Sequence, residues 1–152
     1  MSRFLAIDLG AESGRAILGT LEDGMLALEE LHRFPNTPVR TPAGLYWDIF
    51  RLFHEIGQGL AAAGRQRRLQ LDGIGVDTWG VDFGLVGRDG SLVACPMHYR
   101  DSRNDGMLEK AFSVVPREEI FAQTGVQFMQ LNSLFQLYAM KLGGSPGLEA
   151  AD

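Results

Sequence analysis

The chain has 152 residues, 45% of them hydrophobic and 22% charged, with a formal net charge of −5. That is material for one ordinary hydrophobic core; no apolar run is long enough to span a membrane, and the apolar start at Phe4 is broken by Asp8, unlike a secretory leader. The acidic balance argues against a nucleic-acid surface, which needs a basic stripe. Cys95 is the single cysteine, which excludes an internal disulfide and a thiolate metal cluster and sets the expected compartment as reducing and cytoplasmic.

In chain order, Arg3 to Leu9 reads as a buried strand, Arg15 to Leu21 as a second, and Met25 to Phe34 as a third, with Glu22-Asp23-Gly24 as the hairpin turn between the last two. Short turns between successive strands predict an antiparallel three-strand meander. Pro35, Pro38 and Pro42 then predict a loop. Asp48 is placed to cap a helix whose apolar stripe is Ile49, Leu52, Phe53, Ile56 and Leu60, with Gly64 at its end. Arg65, Arg67 and Arg68, the basic cluster of the chain, read as cations suited to that helix's C-terminal dipole. Leu71 to Val76 is a short strand running into Asp77, and "DFGLVGRDGSLVACP" predicts a hairpin turning at Arg88-Asp89-Gly90, with Cys95 as a small buried residue of its second strand. Asn104 to Val115, Arg117 to Gln123 and Asn132 to Leu142 read as helices, and Ser145-Pro146 as the start of another. Phe128, Met129 and Phe135 read as core. His32, His54 and His98 show no ligand spacing and read as surface or packing residues. The order β-β-β-α-β, with an acid closing the first strand and another closing the fourth, resembles the ribonuclease H-like core, which serves both nucleases and the actin-like ATPases and sugar kinases.

"AIDLGAESGRA", from Ala6 to Ala16, is the first stretch with chemistry in it. A terminal phosphate and its metal need a carboxylate for the ion and free backbone N–H groups for the oxygens. Gly10 and Gly14 are expected to let the backbone approach closely and to take positive φ. Ser13 offers a hydroxyl, Arg15 a forked cation, and Asp8 a ligand for Mg²⁺. The spacing matches neither the Walker-type loop nor the dinucleotide fingerprint, so the cradle is a hairpin; a plain turn of Asp, Gly and Ser is the competing reading. "GIGVDTWGVDFGLV", from Gly73 to Val86, adds a strand closed by Asp77, with Gly80 open to a ligand and Trp79 able to pack on a sugar ring; the competing reading makes Trp79 core and Gly80 a bend.

Together with "HRFPN", "YWDI", "YRDSRN", "TGVQF" and "NSLFQL", spread over nearly the whole chain, these stretches resemble the N-terminal part of the carbohydrate kinases of the FGGY family, its rhamnulokinase-like branch most closely. The resemblance implies a ribonuclease H-like fold of the actin-like ATPase and sugar-kinase group, incomplete here, with residues 1–152 forming the N-terminal portion of the first of two domains. It implies transfer of the γ-phosphoryl group of ATP, with Mg²⁺, to the 1-hydroxyl of L-rhamnulose or a similar ketose. Carried over by residue, Ala11, Glu12, Ser13, Gly14 and Arg15 fall on the ATP-phosphate segment, Asp8 on the metal-facing acid, and Gly80 on a sugar position. Trp79, Asp82, Tyr99 and Arg100 fall in segments that approach the sugar. Glu12 departs from the small hydroxyl residue often found there, and its side chain is expected to point away. No residue matches the family's catalytic base; Asp101 and Asp105 read as turn or cap residues. The chain by itself is therefore expected to be inactive and prone to self-association, and the longer parent monomeric, with no nucleic-acid or membrane partner. Two rival readings remain at this point: a metal-dependent nuclease using Asp8, Glu55 and Asp77, in which Glu55 competes with an ordinary solvent-facing helical acid, and a non-catalytic actin-like nucleotide-binding module.

Overall fold

In the computed structural model, which describes residues 1–66 and 69–152, β1 (Ser2–Leu9) is paired on both edges. Arg67 and Arg68 of the basic cluster lie outside the described residues. β1 pairs antiparallel with β2 (Ser13–Glu22), which pairs antiparallel with β3 (Met25–Pro35), and on its other side β1 runs parallel to β6 (Gly73–Thr78). The sheet order is therefore β3-β2-β1-β6. The predicted meander is present, and so is the fourth strand, shifted from Leu71–Val76 to Gly73–Thr78; its parallel pairing with β1 is not legible in the sequence. Asp23 and Gly24 take φ values of 49° and 77° in the β2–β3 turn, the backbone that a two-residue hairpin loop needs to match strand twist.

The proline-rich segment is not all loop. It holds a small antiparallel ribbon, β4 (Val39–Thr41) with β5 (Gly44–Tyr46). Three-residue strands flanked by Pro38 and turned at Pro42 lie below the length at which alternation is readable.

Two compact units divide the chain: residues 1–37 with 48–80, and residues 38–47 with 81–152. In the first, helix α1 (Ile49–Gly64) is capped as expected, the Asp48 carboxylate accepting from the Arg51 N–H at 3.0 Å. Its buried face differs from the predicted stripe. Leu52, Glu55, Gly59 and Ala63 are buried, whereas Phe53 is 77% exposed and Leu60 39%. The reason is Gly59: a Cβ there would lie 2.7 Å from the Ala16 methyl of β2, so the helix approaches the sheet along its glycine side. Leu5, Ile7, Ala16 and Ala63 form the core of this unit, with Leu9, Leu31 and Ile56 packed on it. Glu55 is likewise not the solvent-facing acid expected: it is 4% exposed, with His32 Nε2 2.5 Å from Oε2 and Arg51 as its other ion partner.

The second unit carries a 3-10 turn at Ser102–Asn104, α2 (Met107–Phe112), α3 (Arg117–Thr124), α4 (Ser133–Leu142) and α5 (Pro146–Ala150). The helix expected from Asn104 is shorter because Gly106 takes φ 69° and separates the 3-10 turn from α2. Phe135 is core with Met107, Ala111 and Ala139, and Phe128 packs against them, but Met129 is 41% exposed. The expected hairpin after Asp82 keeps its turn, with Gly90 at φ 79°, yet its strands shrink to a single bridge, Val86 with Leu92. Cys95 therefore sits on irregular backbone and is exposed, not buried in a strand. Of the histidines, only His54 is a surface residue; His98 is buried and His32 is tied to Glu55.

Two glycines on one helix give a matched test of the packing. Gly57→Ala meets no atom within 4 Å and should stabilise the chain by about 1 kcal/mol through helix propensity. Gly59→Ala should destabilise it, because overpacking of about 1–3 kcal/mol outweighs the same gain. Urea midpoints of the two variants should move in opposite directions.

Candidate functional site

The β1–β2 connection is a tight turn closed by the Gly10 N–H donating to the Ser13 carbonyl at 3.0 Å. Neither Gly10 nor Gly14 takes positive φ, contrary to the expectation from sequence. Their reasons are steric. A Cβ on Gly10 would lie 2.7 Å from the Ser13 oxygen, and one on Gly14 would lie 2.2 Å from the Phe34 ring. The turn is held from β3's end by Asn36, which is 5% exposed. Its Nδ2 donates to the Gly10 carbonyl at 3.0 Å and its backbone N–H to the Glu12 carbonyl at 2.9 Å. Asn36 is the residue that reading the sequence missed. Its signal was the polar residue straight after Phe34-Pro35, where β3 has to stop. Glu12 itself is exposed.

Asp8 and Arg15 are brought together directly: Arg15 Nε donates to Asp8 Oδ2 at 2.8 Å. Both are about one-third exposed, so the pair is reachable by solvent. The parallel register sets Asp77 beside Asp8, and strand alternation turns both away from Leu5 and Ile7, hence away from α1. Glu55 lies on the α1 side of the sheet, bonded to His32. The three acids of the nuclease reading are thus split across two faces, and no group of three potential metal-ligating side chains occurs among the described residues. Two neighbouring carboxylates facing solvent are nevertheless a suitable donor set for Mg²⁺, which takes one or two protein oxygens and leaves the rest to water and phosphate.

Trp79 and Gly80 lie in the first unit. Trp79 is half-buried, not core, and its backbone N–H donates to the Leu9 carbonyl at 3.2 Å. Gly80 is exposed, a bend where an added Cβ would meet no atom within 4 Å. Asp82, Tyr99 and Arg100 lie in the second unit. Asp82 accepts from Trp47 Nε1 at 2.5 Å and from Gln136 Nε2 at 3.1 Å. Tyr99 packs its ring 4.4 Å from His98, and the exposed Arg100 sets its guanidinium 5.3 Å above the Tyr99 ring. Asp101 is a cap, as expected: it is buried and accepts from the N–H groups of Arg103 and Leu45.

The unusual backbone in this stretch is at Val81, with φ 72°. A β-branched residue there is strained, and its carbonyl is held by Ser133 Oγ at 2.5 Å and Gln136 Nε2 at 3.2 Å. Gln136, fully buried, was invisible in the sequence because it sits in an ordinary helical run. His98 stacks on Trp47 at 4.1 Å, and its Nδ1 accepts from the Arg100 N–H at 2.9 Å.

Burial holds the His98 imidazole below its usual value, with Asp82 acting in the opposite sense. The fold therefore favours neutral His98. Its contribution is complete above the unfolded value of about 6.5 and is lost as pH falls from there through the lower folded value. Glu55 is held below the usual carboxylate range, first by its bond to His32, so its contribution is lost only at more acid pH, below about 4.3. Stability followed by urea unfolding should fall in two separate windows, the first beginning near pH 6.5, where few carboxylates titrate. Separately, Asn36→Ala should cost about 1–2 kcal/mol and speed hydrogen exchange at the Gly10 amide.

No family model matches the chain. It is 46% identical over 149 residues to a rhamnulokinase of Bacteroides thetaiotaomicron, covering 98% of this chain and 30% of that protein. It is 40% identical over 147 residues to a rhamnulokinase of Oceanobacillus iheyensis, covering 97% and 31%. Among solved structures, a ligand-bound xylulose kinase from Lactobacillus acidophilus superposes with a TM-score of 0.82 at 12% identity over 99% of this chain and 30% of that one. Plasmodium falciparum glycerol kinase with ADP superposes at 0.74, with 14% identity, over 98% and 30%. The fold is that of the sugar kinases in the actin-like, ribonuclease H-like group, and the resemblance to rhamnulokinases extends along nearly all of this chain. The chain spans about 30% of the length of the curated relatives it matches.

Proposed function

We propose that residues 1–152 are the N-terminal portion of the first domain of an ATP-dependent carbohydrate kinase that phosphorylates the 1-hydroxyl of L-rhamnulose in a cytoplasmic setting. The observation that carries this reading is the clamped β1–β2 turn beside the partly exposed Asp8–Arg15 pair. Ala11, Glu12, Ser13, Gly14 and Arg15 take the ATP phosphates, Asp8 faces Mg²⁺, and Gly80, Trp79, Asp82, Tyr99 and Arg100 serve the sugar. The rhamnulokinase relatives support the choice of ketose.

Phosphoryl transfer is mostly positioning and charge stabilisation. Mg²⁺, when bound with the nucleotide, supplies charge neutralisation at the β- and γ-phosphates. The chain's share is to orient. Arg15 exchanges its internal acceptor, Asp8, for a phosphate oxygen, and Asp8 is thereby freed toward the cation. Asn36 ties the Gly10 and Glu12 carbonyls and so keeps the turn's shape. Trp47 and Gln136 fix the carboxylate of Asp82, which serves the sugar. No described side chain is assigned the hydroxyl proton; the proposed general base and adenine pocket lie outside residues 1–152.

The outer sheet face supports self-association of the chain by itself. Phe4, Leu21, Leu26 and Leu28 are exposed large apolar residues, and the register sets them on the face away from α1; exposed apolar patches favour association.

The test has two arms. The chain incubated with MgATP and L-rhamnulose should release no ADP above a buffer blank; turnover would mean that it carries its own base, with Asp77, Asp82 and Asp101 as first suspects. In the longer kinase polypeptide, Asp8→Asn should abolish transfer while leaving the thermal unfolding profile intact; retention of most of kcat would remove Asp8 from the site.

A further inference from the structure

The outer face of the sheet carries a transverse row of charge at the end of β1. Register sets Asp77 beside Asp8, Asp8 beside Arg15, and Arg15 beside Arg33. Residues opposite one another on neighbouring strands point to the same face, so these four side chains project together. Strands are spaced by about 4.8 Å, which sets the two guanidinium stems one strand apart. The order across the sheet is acid, acid, guanidinium, guanidinium.

Arg33 reaches this row only because of a bulge. The β2–β3 register shifts between Ala16, which faces His32, and Ile17, which faces Glu30. Leu31 is the extra residue. Leu31 packs on the core and His32 turns to Glu55, so both face α1. Glu30 and Arg33 consequently both face outward, three residues apart, where an unbroken strand would set them on opposite faces. Glu30 then holds the Arg33 guanidinium through Nε at 2.9 Å and through Nη2. The neighbouring Arg15 is held by Asp8 through a single bond from Nε. Each guanidinium therefore rests on an internal carboxylate. The mutual hydrogen bond of Glu30 and Arg33 is the first reason that the Glu30 carboxyl is held below, and the Arg33 guanidinium above, its usual value; Arg15 and Asp8 act in the same sense as lesser contributions.

We propose that Arg33 is a second phosphate-binding guanidinium beside Arg15, held in reserve by Glu30, for the terminal phosphates of a nucleoside triphosphate. The proposal rests on the reading of the β1–β2 turn as a phosphate cradle. Two like charges on adjacent strands repel unless each has an anion, and a polyphosphate can take over that role from Asp8 and Glu30 together. Arg33 is 48% and Glu30 41% exposed, so the exchange needs no rearrangement of the core. A bidentate guanidinium suits phosphate oxygens.

The probe is inorganic tripolyphosphate with magnesium, titrated into this chain at low ionic strength and followed by backbone amide chemical shifts. Arg33→Gln should weaken binding by about fivefold, a charge-assisted bond discounted for exposure, and Arg33→Lys should recover part of the loss. Glu30→Gln should tighten binding by about twofold to threefold, since it frees Arg33; a gain of that kind cannot come from a damaged fold. If Arg15→Gln weakens binding while Arg33→Gln and Glu30→Gln leave it unchanged, the inference is overturned and the cradle stands. If the unaltered chain shows no shifts at the turn, the cradle reading is overturned and the inference with it.

Discussion

The chemistry of the first unit depends on one constraint, that β1 is hydrogen-bonded along both edges. Antiparallel pairing with β2 and parallel pairing with β6 leave it no freedom to slip. A shift of one residue would move Leu5 and Ile7 out of the core and bring Asp8 into it. Because that shift exposes two buried aliphatic side chains, at about 1.5–3 kcal/mol each, the register is strongly held. Asp8 thereby sits between Arg15 and Asp77, near the end of a strand paired on both edges and beside the β1–β2 turn. The same register separates Asp8 and Asp77 from Glu55, so the acids that a nuclease would need are on opposite faces.

The turn beyond Asp8 is shaped by contacts from β3 and its continuation. The Phe34 ring lies where a side chain at position 14 would go, and Asn36 ties two carbonyls of the turn. Both come from "HRFPN", so the meander is not only a scaffold for the hairpin; its third strand supplies the clamp. Local backbone groups of a turn are otherwise left to water, and here a buried amide satisfies them.

In the second unit, order comes from buried polar groups that must be satisfied. Gln136 alone donates to Val81, Asp82 and Leu131 and accepts from Arg103. Unpaired, a buried amide of that kind costs about 1–3 kcal/mol. Satisfied, it holds Val81 in a strained backbone state and fixes the carboxylate of Asp82. His98 and Trp47 stack beside this network, and the exclusion of water there is what lowers the basicity of His98.

The sequence by itself determined the meander, the existence of a fourth strand, the capped helix and the presence of helices in the second half. Those features rest on local signals: alternation, Asp-Gly at a two-residue turn, Asp48 before a helical run, and a carboxylate at a strand end. Tertiary structure decided the rest. Which face of α1 is buried was settled by the close approach of Gly59 to Ala16, which no stripe of apolar residues reveals. Glu55 is inside, bonded to His32 of β3, and Met129 and Cys95 are outside, on irregular backbone. The contacts of Asn36 and Gln136 reach 26 and 55 residues away in sequence, and the outward placement of Arg33 depends on a one-residue bulge. Such contacts leave no periodic trace, since a single polar residue looks the same in the chain whether it faces water or closes a turn.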